Sequence, residues 1–315
     1  MKYSNFLKST FAILLVSTHV QATTLSKVST EPYEYTGFKG QVVAAQKGTF
    51  QVPENRSDPK SRLLNISFVT FPTTSKNPKR PIVYLAGGPG GSATGTAKRP
   101  RFTLFQKLRE VSDVILYDQR GTGLSNDIDE CQGDKSDIAI PSDETTLMAT
   151  IITDIKTCVT QWQAQGVDLN GYTTKENAHD LADLSKALGV DKVNLWAISY
   201  GTHLAFAAAK YHPEMINQMV LASSEGLNHT IKRPARIQAL IEKVDLMLKQ
   251  NPATADKYPD LLGTIKSVFA KLAISPQVVK AKSFRGKDIT VGISKIDLQF
   301  VISYVLLMDP KYLSQ

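Results

Sequence analysis

Ser199 stands in the run Ala197-Ile198-Ser199-Tyr200-Gly201, between an apolar stretch and a helical one. A serine hydroxyl attacks carbonyls well only when a base takes its proton and donors stabilise the oxyanion that forms. The small-x-Ser-x-Gly spacing is that of a sharp strand-to-helix turn, which lifts the serine clear of the sheet. Positions two before and two after must be small; Ala197 adds only a methyl group and Gly201 nothing. The Tyr200 N–H, at the helix start, is one candidate oxyanion donor. The other comes from Ala86-Gly87-Gly88-Pro89-Gly90-Gly91-Ser92, whose glycines let backbone amides turn inward, and we assign it to Gly88. A phosphate cradle is the rival reading of that loop, but it lacks the GK[ST] sequence. A third turn, Asp118-Gln119-Arg120-Gly121-Thr122-Gly123-Leu124-Ser125, is expected to hold itself by an Asp118–Arg120 pair. Its role reads as support rather than chemistry.

Each of the three turns follows a short apolar run, at 81–85, 111–117 and 193–196, and a fourth run lies at 215–222. Runs that are apolar without clean alternation suit strands covered on both faces. Helical patterns lie between them. At 178–188 Leu181, Leu184 and Leu188 form a stripe that Gly189 caps, and 202–211 is small and apolar. This alternation predicts a mostly parallel α/β sheet, whose active sites collect beyond the strand ends. Earlier strands are expected at 48–53 and 63–71, joined by a polar turn at 54–62. In the second, Leu64, Ile66, Phe68 and the Thr70 methyl share a face. Beyond His229 the character changes: amphipathic helices at 234–250 and 259–273 precede short strand-like runs. The domains expected are a leader at 1–22, a core at 23–229 and a second, mainly helical segment at 230–315.

The 315 residues are 42% hydrophobic and 21% charged, ordinary for a globular protein, and no run of 18 apolar residues is present. Lys2, Lys8, the apolar run at 11–16 and Val20-Gln21-Ala22 read as a secretory signal cleaved near Ala22. Export to periplasm or medium is therefore expected. The formal charge is +8, and residues 230–315 carry 14 Lys/Arg against 7 Asp/Glu. These charges are spread along helices, which suits a solvated face and not a nucleic-acid or membrane patch. Cys131 and Cys158 stand 27 apart. In an exported chain such a pair suits a disulfide worth about 3 kcal/mol, with two unpaired thiols as the alternative. No CxxC or Cys/His cluster suggests a metal, and no cofactor is expected.

GGPGG, then DQRGTGLS, then AISYGT, with NAHDLADLSKALGVDKVNLW before the last, resembles the proline iminopeptidase and tripeptidyl aminopeptidase group of serine α/β-hydrolases. The resemblance covers residues 47–234 well. It implies the α/β-hydrolase fold and hydrolysis of peptides from the amino terminus, or of related amides and esters, through an acyl-serine. It implies a helical cap at 230–315, and it favours the Cys131–Cys158 disulfide.

In such hydrolases the acid and then the histidine follow the serine in the chain. His19 leaves with the signal and His179 precedes Ser199. His203 lies on the helix after the turn and is expected to point away, and His212 ends that helix. His229 could line the site. Glu225 could bind a substrate's ammonium group. With 116 residues after Ser199 taken up by a helix, a strand and the cap, we expect a C-terminally truncated hydrolase that lacks the triad acid and histidine and is inactive alone. A non-catalytic hydrolase-fold binding protein and an esterase of the same fold are the alternatives.

Overall fold

The computed structural model describes residues 28–131, 137–228, 233–283 and 286–308, with side chains described to 303. The signal at 1–22 and His229 lie outside the described residues. The elements, in order, are β1 (Ser29–Thr36), β2 (Val42–Pro53), β3 (Leu63–Phe71), β4 (Ile82–Leu85), α1 (Ala93–Thr96), α2 (Phe102–Leu108) and β5 (Val114–Tyr117). They continue with α3 (Glu144–Ala164), α4 (Thr174–Ala187), β6 (Val193–Ile198), α5 (Tyr200–Tyr211) and β7 (Ile216–Ala222). The remainder comprises α6 (Pro234–Gln250), α7 (Leu261–Ile274), β8 (Gln277–Lys282), β9 (Asp288–Ile293) and α8 (Lys295–Met308).

The main sheet runs β1-β2-β3-β5-β4-β6-β7. Its β5-β4-β6-β7 portion is parallel, and β1, β2 and β3 extend it as an antiparallel meander joined to β5. From β4 the chain crosses to β5 on one side; β6 then returns to the other side of β4. The loops leaving β4 and β6 therefore diverge, and a crevice opens at their C-terminal ends.

Residues alternate between the two sheet faces, and each face has its own core. One packs Ile66, Phe68, Val83, Leu85 and Ile115 against Leu181 and Leu184 of α4 and Leu204 of α5. The other packs Val69, Phe71, Tyr84 and Leu116 against Phe102 and Phe105 of α2. Both faces of β3 are used: Leu64, Ile66 and Phe68 are buried as the alternation predicts, but so are Val69 and Phe71, because β3 lies inside the sheet. α4 ends as the sequence suggests, with Gly189 at φ +69° and Val190 N–H bonded to the Ser185 carbonyl at 3.2 Å.

The last segment is α6, α7 and α8 around Ile241 and Ile265, with the antiparallel hairpin β8–β9. It touches the core where the Gly292 N–H reaches the Ile138 carbonyl at 2.7 Å and Asp297 accepts from the Ser142 N–H at 2.9 Å. Cys131 and Cys158 form the disulfide that ties the stretch after β5 to the middle of α3. Among the described residues no helix is long and apolar enough to cross a membrane.

Candidate active site

β6 delivers Ser199 to the crevice, and α5 starts at the next residue. Ser199 has φ +53° and ψ −126°. A non-glycine residue there is strained, and the surrounding contacts have to hold it. Three do. The Ser199 N–H donates to the Ala222 carbonyl at the end of β7, at 3.0 Å. Its carbonyl accepts from the Thr202 N–H at 2.8 Å and from Thr202 Oγ1 at 2.7 Å. The tightness of the turn fixes its neighbours. A Cβ on Gly201 would run into the Leu85 carbonyl, whereas the Ala197 methyl is fully buried in the core without conflict. A Cβ on Gly87 would sit 3.0 Å from Ser199 Cβ, so the glycine loop after β4 lies directly against the nucleophile.

Ser199 Oγ donates to Glu225 Oε1 at 3.3 Å. Two devices bring Glu225 there. Ser223 takes φ +54°, turning the chain back after β7, and the Glu225 N–H donates to Thr202 Oγ1 at 2.7 Å. The buried Thr202 hydroxyl thus joins the serine turn to the acidic residue. The run AISYGT contains this threonine, and its place directly after Gly201 is the sequence signal for it.

The glycine loop is anchored at its far end by Asp118. This fully buried carboxylate accepts from Ser92 Oγ at 3.0 Å, Thr94 N–H at 3.0 Å, Thr94 Oγ1 at 2.5 Å and Leu124 N–H at 2.9 Å. The expected Asp118–Arg120 pair is not formed. Asp118 turns to the glycine loop, while Arg120 turns to the opposite side, where Asp180 accepts from Nε and Nη2 at 2.7 Å each. Arg120 also donates to the carbonyls of Glu54, Gly171 and Pro53. Burial opposes the guanidinium charge, but the Asp180 hydrogen bonds and charge outweigh it and raise the Arg120 pKa. Support was therefore the right role, with different partners.

The Tyr200 hydroxyl bonds Thr174 Oγ1 at 2.8 Å, and burial raises its pKa. Of the histidines, His203 stacks on Tyr200, with ring centroids 5.6 Å apart, and Nδ1 lies 3.3 Å from the Gly226 carbonyl. His203 thus faces the segment just after Glu225. His179 Nδ1 and His212 Nε2 share a hydrogen bond of 2.7 Å at the far end of α5. Among the described residues no group of three His, Cys, Asp or Glu is placed to hold a metal ion.

The chain resembles named proteins. It is 26% identical over 181 residues to the serine protease Hip1 of Mycobacterium tuberculosis (strain ATCC 25618 / H37Rv), covering 55% of this chain and 35% of that one. It is 26% identical over 188 residues to the tripeptidyl aminopeptidase of Streptomyces coelicolor, covering 56% and 35%. The chain thus spans about a third of the length of the curated relatives it matches. Among solved structures it is similar to Rv0554 from Mycobacterium tuberculosis, at 19% identity and a TM-score of 0.35 over 66% of this chain and 56% of that one. The alpha/beta hydrolase fold family matches residues 80–274, more than half of the sequence. By that match the chain belongs to the alpha/beta hydrolase fold family.

Proposed function

We propose that this chain carries the nucleophile of an exported serine hydrolase that releases amino-terminal residues or short peptides. The observation behind this reading is Ser199, held at φ +53° on a strand-to-helix turn against a glycine loop. In the proposed reaction Ser199 Oγ attacks the scissile carbonyl and a base takes its proton. The N–H groups of Gly88 and Tyr200 hold the oxyanion. The amine leaves with the proton, and water then cleaves the acyl-Ser199 ester. Names such as serine protease and tripeptidyl aminopeptidase among the relatives favour a peptide substrate over a simple ester. No cofactor enters this scheme. Cleavage near Ala22 would leave residues 23–229 as the core and 230–315 as the cap.

The base is not one of the described histidines, since His179, His203 and His212 bond elsewhere. Glu225 is a carboxylate and a weaker base than an imidazole. We therefore assign the base to none of the described residues, and expect the isolated 315-residue chain to be a poor catalyst. The carboxylate on Ser199 Oγ also favours a second reading, a non-catalytic binding protein of the same fold.

Fluorophosphonate labelling followed by peptide mapping separates these readings. In protein purified from its source, Ser199 should be the labelled residue, and Ser199→Ala should abolish labelling. In the isolated chain, labelling should be at least about tenfold slower. An unlabelled Ser199 in the source protein would favour the binding protein, and equal rates would place the base within this chain. Faster hydrolysis of an ester than of the matching peptide amide would favour the esterase.

A further inference from the structure

Two serines at the site hold positive φ, Ser199 at +53° and Ser223 at +54°. Such backbone persists only where its surroundings over-determine it. Ser199 is wedged between the Ala222 carbonyl and the glycine loop. Ser223 lacks that enclosure. It is exposed, as are Ser224, Leu227 and Asn228; within 223–228 only Glu225 and Gly226 are half-buried. The return after β7 must therefore be held through those two residues.

The first turn of α5 grips both. Thr202 Oγ1 accepts from the Glu225 N–H at 2.7 Å, and His203 Nδ1 lies 3.3 Å from the Gly226 carbonyl. A carbonyl oxygen only accepts, so Nδ1 carries the proton and donates, which leaves Nε2 the bare nitrogen of the neutral ring. The ring is itself held. It stacks on Tyr200 with 23° between the planes, and the Tyr200 hydroxyl is tied to Thr174 Oγ1 on α4 at 2.8 Å. A line of contacts thus runs from α4 through Tyr200 and His203 to Gly226, beside the serine and not through it.

We propose that His203 is a positioning residue of the serine site: its Nδ1–H, donated to the Gly226 carbonyl, keeps the Ser223 return closed and the Glu225 carboxylate on Ser199 Oγ. This rests on the serine-hydrolase reading given above. His203 touches no reacting atom. It acts through Gly226 on Glu225, whose Oε1 accepts from Ser199 Oγ at 3.3 Å. A carboxylate there fixes the direction in which the hydroxyl points, and with it the side of Oγ left free for attack.

The test uses the full 315-residue chain. His203→Phe keeps a ring to stack on Tyr200 and removes the donor; His203→Asn can place a side-chain N–H₂ where Nδ1 stood. In the unaltered chain, nitrogen NMR of the His203 ring at about pH 8 should show the Nδ1–H form. In His203→Phe, amide exchange at Glu225 and Gly226 should rise about tenfold. Fluorophosphonate labelling of Ser199 should slow about threefold or more. His203→Asn should bring both back to within about twofold of the unaltered chain. Exchange and labelling unchanged in His203→Phe overturn the proposal. An Asn variant as slow as the Phe variant assigns the effect to the ring and overturns the donor role. If His203→Phe does not fold, the unaltered chain still decides, since an Nε2–H ring cannot donate from Nδ1. Ser199 unlabelled in every variant removes the hydrolase reading, while ring form and amide exchange still judge the tie to Gly226. A labelled serine with exchange and labelling indifferent to His203 removes the positioning role alone.

Discussion

Thr202 carries more of the serine turn than its size suggests. Its hydroxyl donates to the Ser199 carbonyl and accepts from the Glu225 N–H, and the residue is fully buried. Thr202→Val keeps the shape and removes both bonds, leaving the Ser199 carbonyl with the Thr202 N–H alone and the part-buried Glu225 N–H without this acceptor. We expect a loss of about 1–3 kcal/mol in urea unfolding. We also expect slower fluorophosphonate labelling, because the Ser199 turn loses one of the three contacts that hold it. His179 offers a different test. Burial, then the charges of Arg56, His212 and Lys175, lower its pKa below the ordinary 6.5, with Glu176 opposing them. The unfolded chain therefore binds a proton that the folded chain refuses. Stability is complete above about pH 6.5 and falls as the pH drops from there toward the folded pKa. The urea midpoint should decline as the pH falls below about 6.5, and His179→Asn should flatten that decline. The low-pKa carboxylates Asp143, Asp168, Asp191, Asp245 and Asp297 act only below their ordinary 3.8, and Glu214 below its ordinary 4.5, outside that window.

Among the elements, the junction of β2, α4 and the loop after β5 is an ion network rather than an apolar seam. Arg120 and Asp180 are fully buried there, and Arg56 reaches Glu176, Asp180 and Asp183 at 2.6–2.8 Å. Arg120→Met should cost about 3 kcal/mol, since it strips Asp180 of a bidentate partner. Arg56→Gln should cost less, because Arg56 is partly open to water. Equal losses in thermal unfolding would refute this ordering. None of these partners was legible in sequence, because the contacts join residues more than 50 positions apart. Apolar runs and turns were legible. The reading of 234–250 as a helix matches α6, and 63–71 matches β3. β1 was not read, because it is a largely exposed, polar strand whose pairing on β2 defines it. α3 was missed for the same reason: none of its residues is buried, so it has no stripe turned to a core. The serine turn was plain because sterics dictate its residues, whereas Glu225 and Thr202 meet only once β7 lies beside β6.

On the scale of the whole molecule, β7 is a sheet edge among the described residues, with Val220 64% exposed. It borders a groove of about 1170 Å³ lined by Ile82, Leu104, Leu108, Val111, Trp196 and Val220. That groove extends to the N-terminal ends of β4, β6 and β7, the opposite end of the sheet from Ser199, and has no part in the proposed chemistry. An open edge beside an apolar groove favours self-association. Val220→Lys should slow the growth of light scattering with time and protein concentration, and an unchanged rate would mean that another surface drives it.

The pairing order has a consequence for synthesis. The meander β1–β2–β3 joins neighbours in the chain, so it can form while later residues are still unmade. The pairing of β4 with β6 brings Ile82 beside Asn194 and must wait for more than a hundred further residues. Once formed, the disulfide shortens the loop that this pairing closes, because it bridges 27 of the intervening residues. The serine turn is thus assembled late, on a sheet half built before it arrives. Chains ending before residue 193 should therefore show a protected meander in pulsed hydrogen exchange, before any part of the serine turn exists.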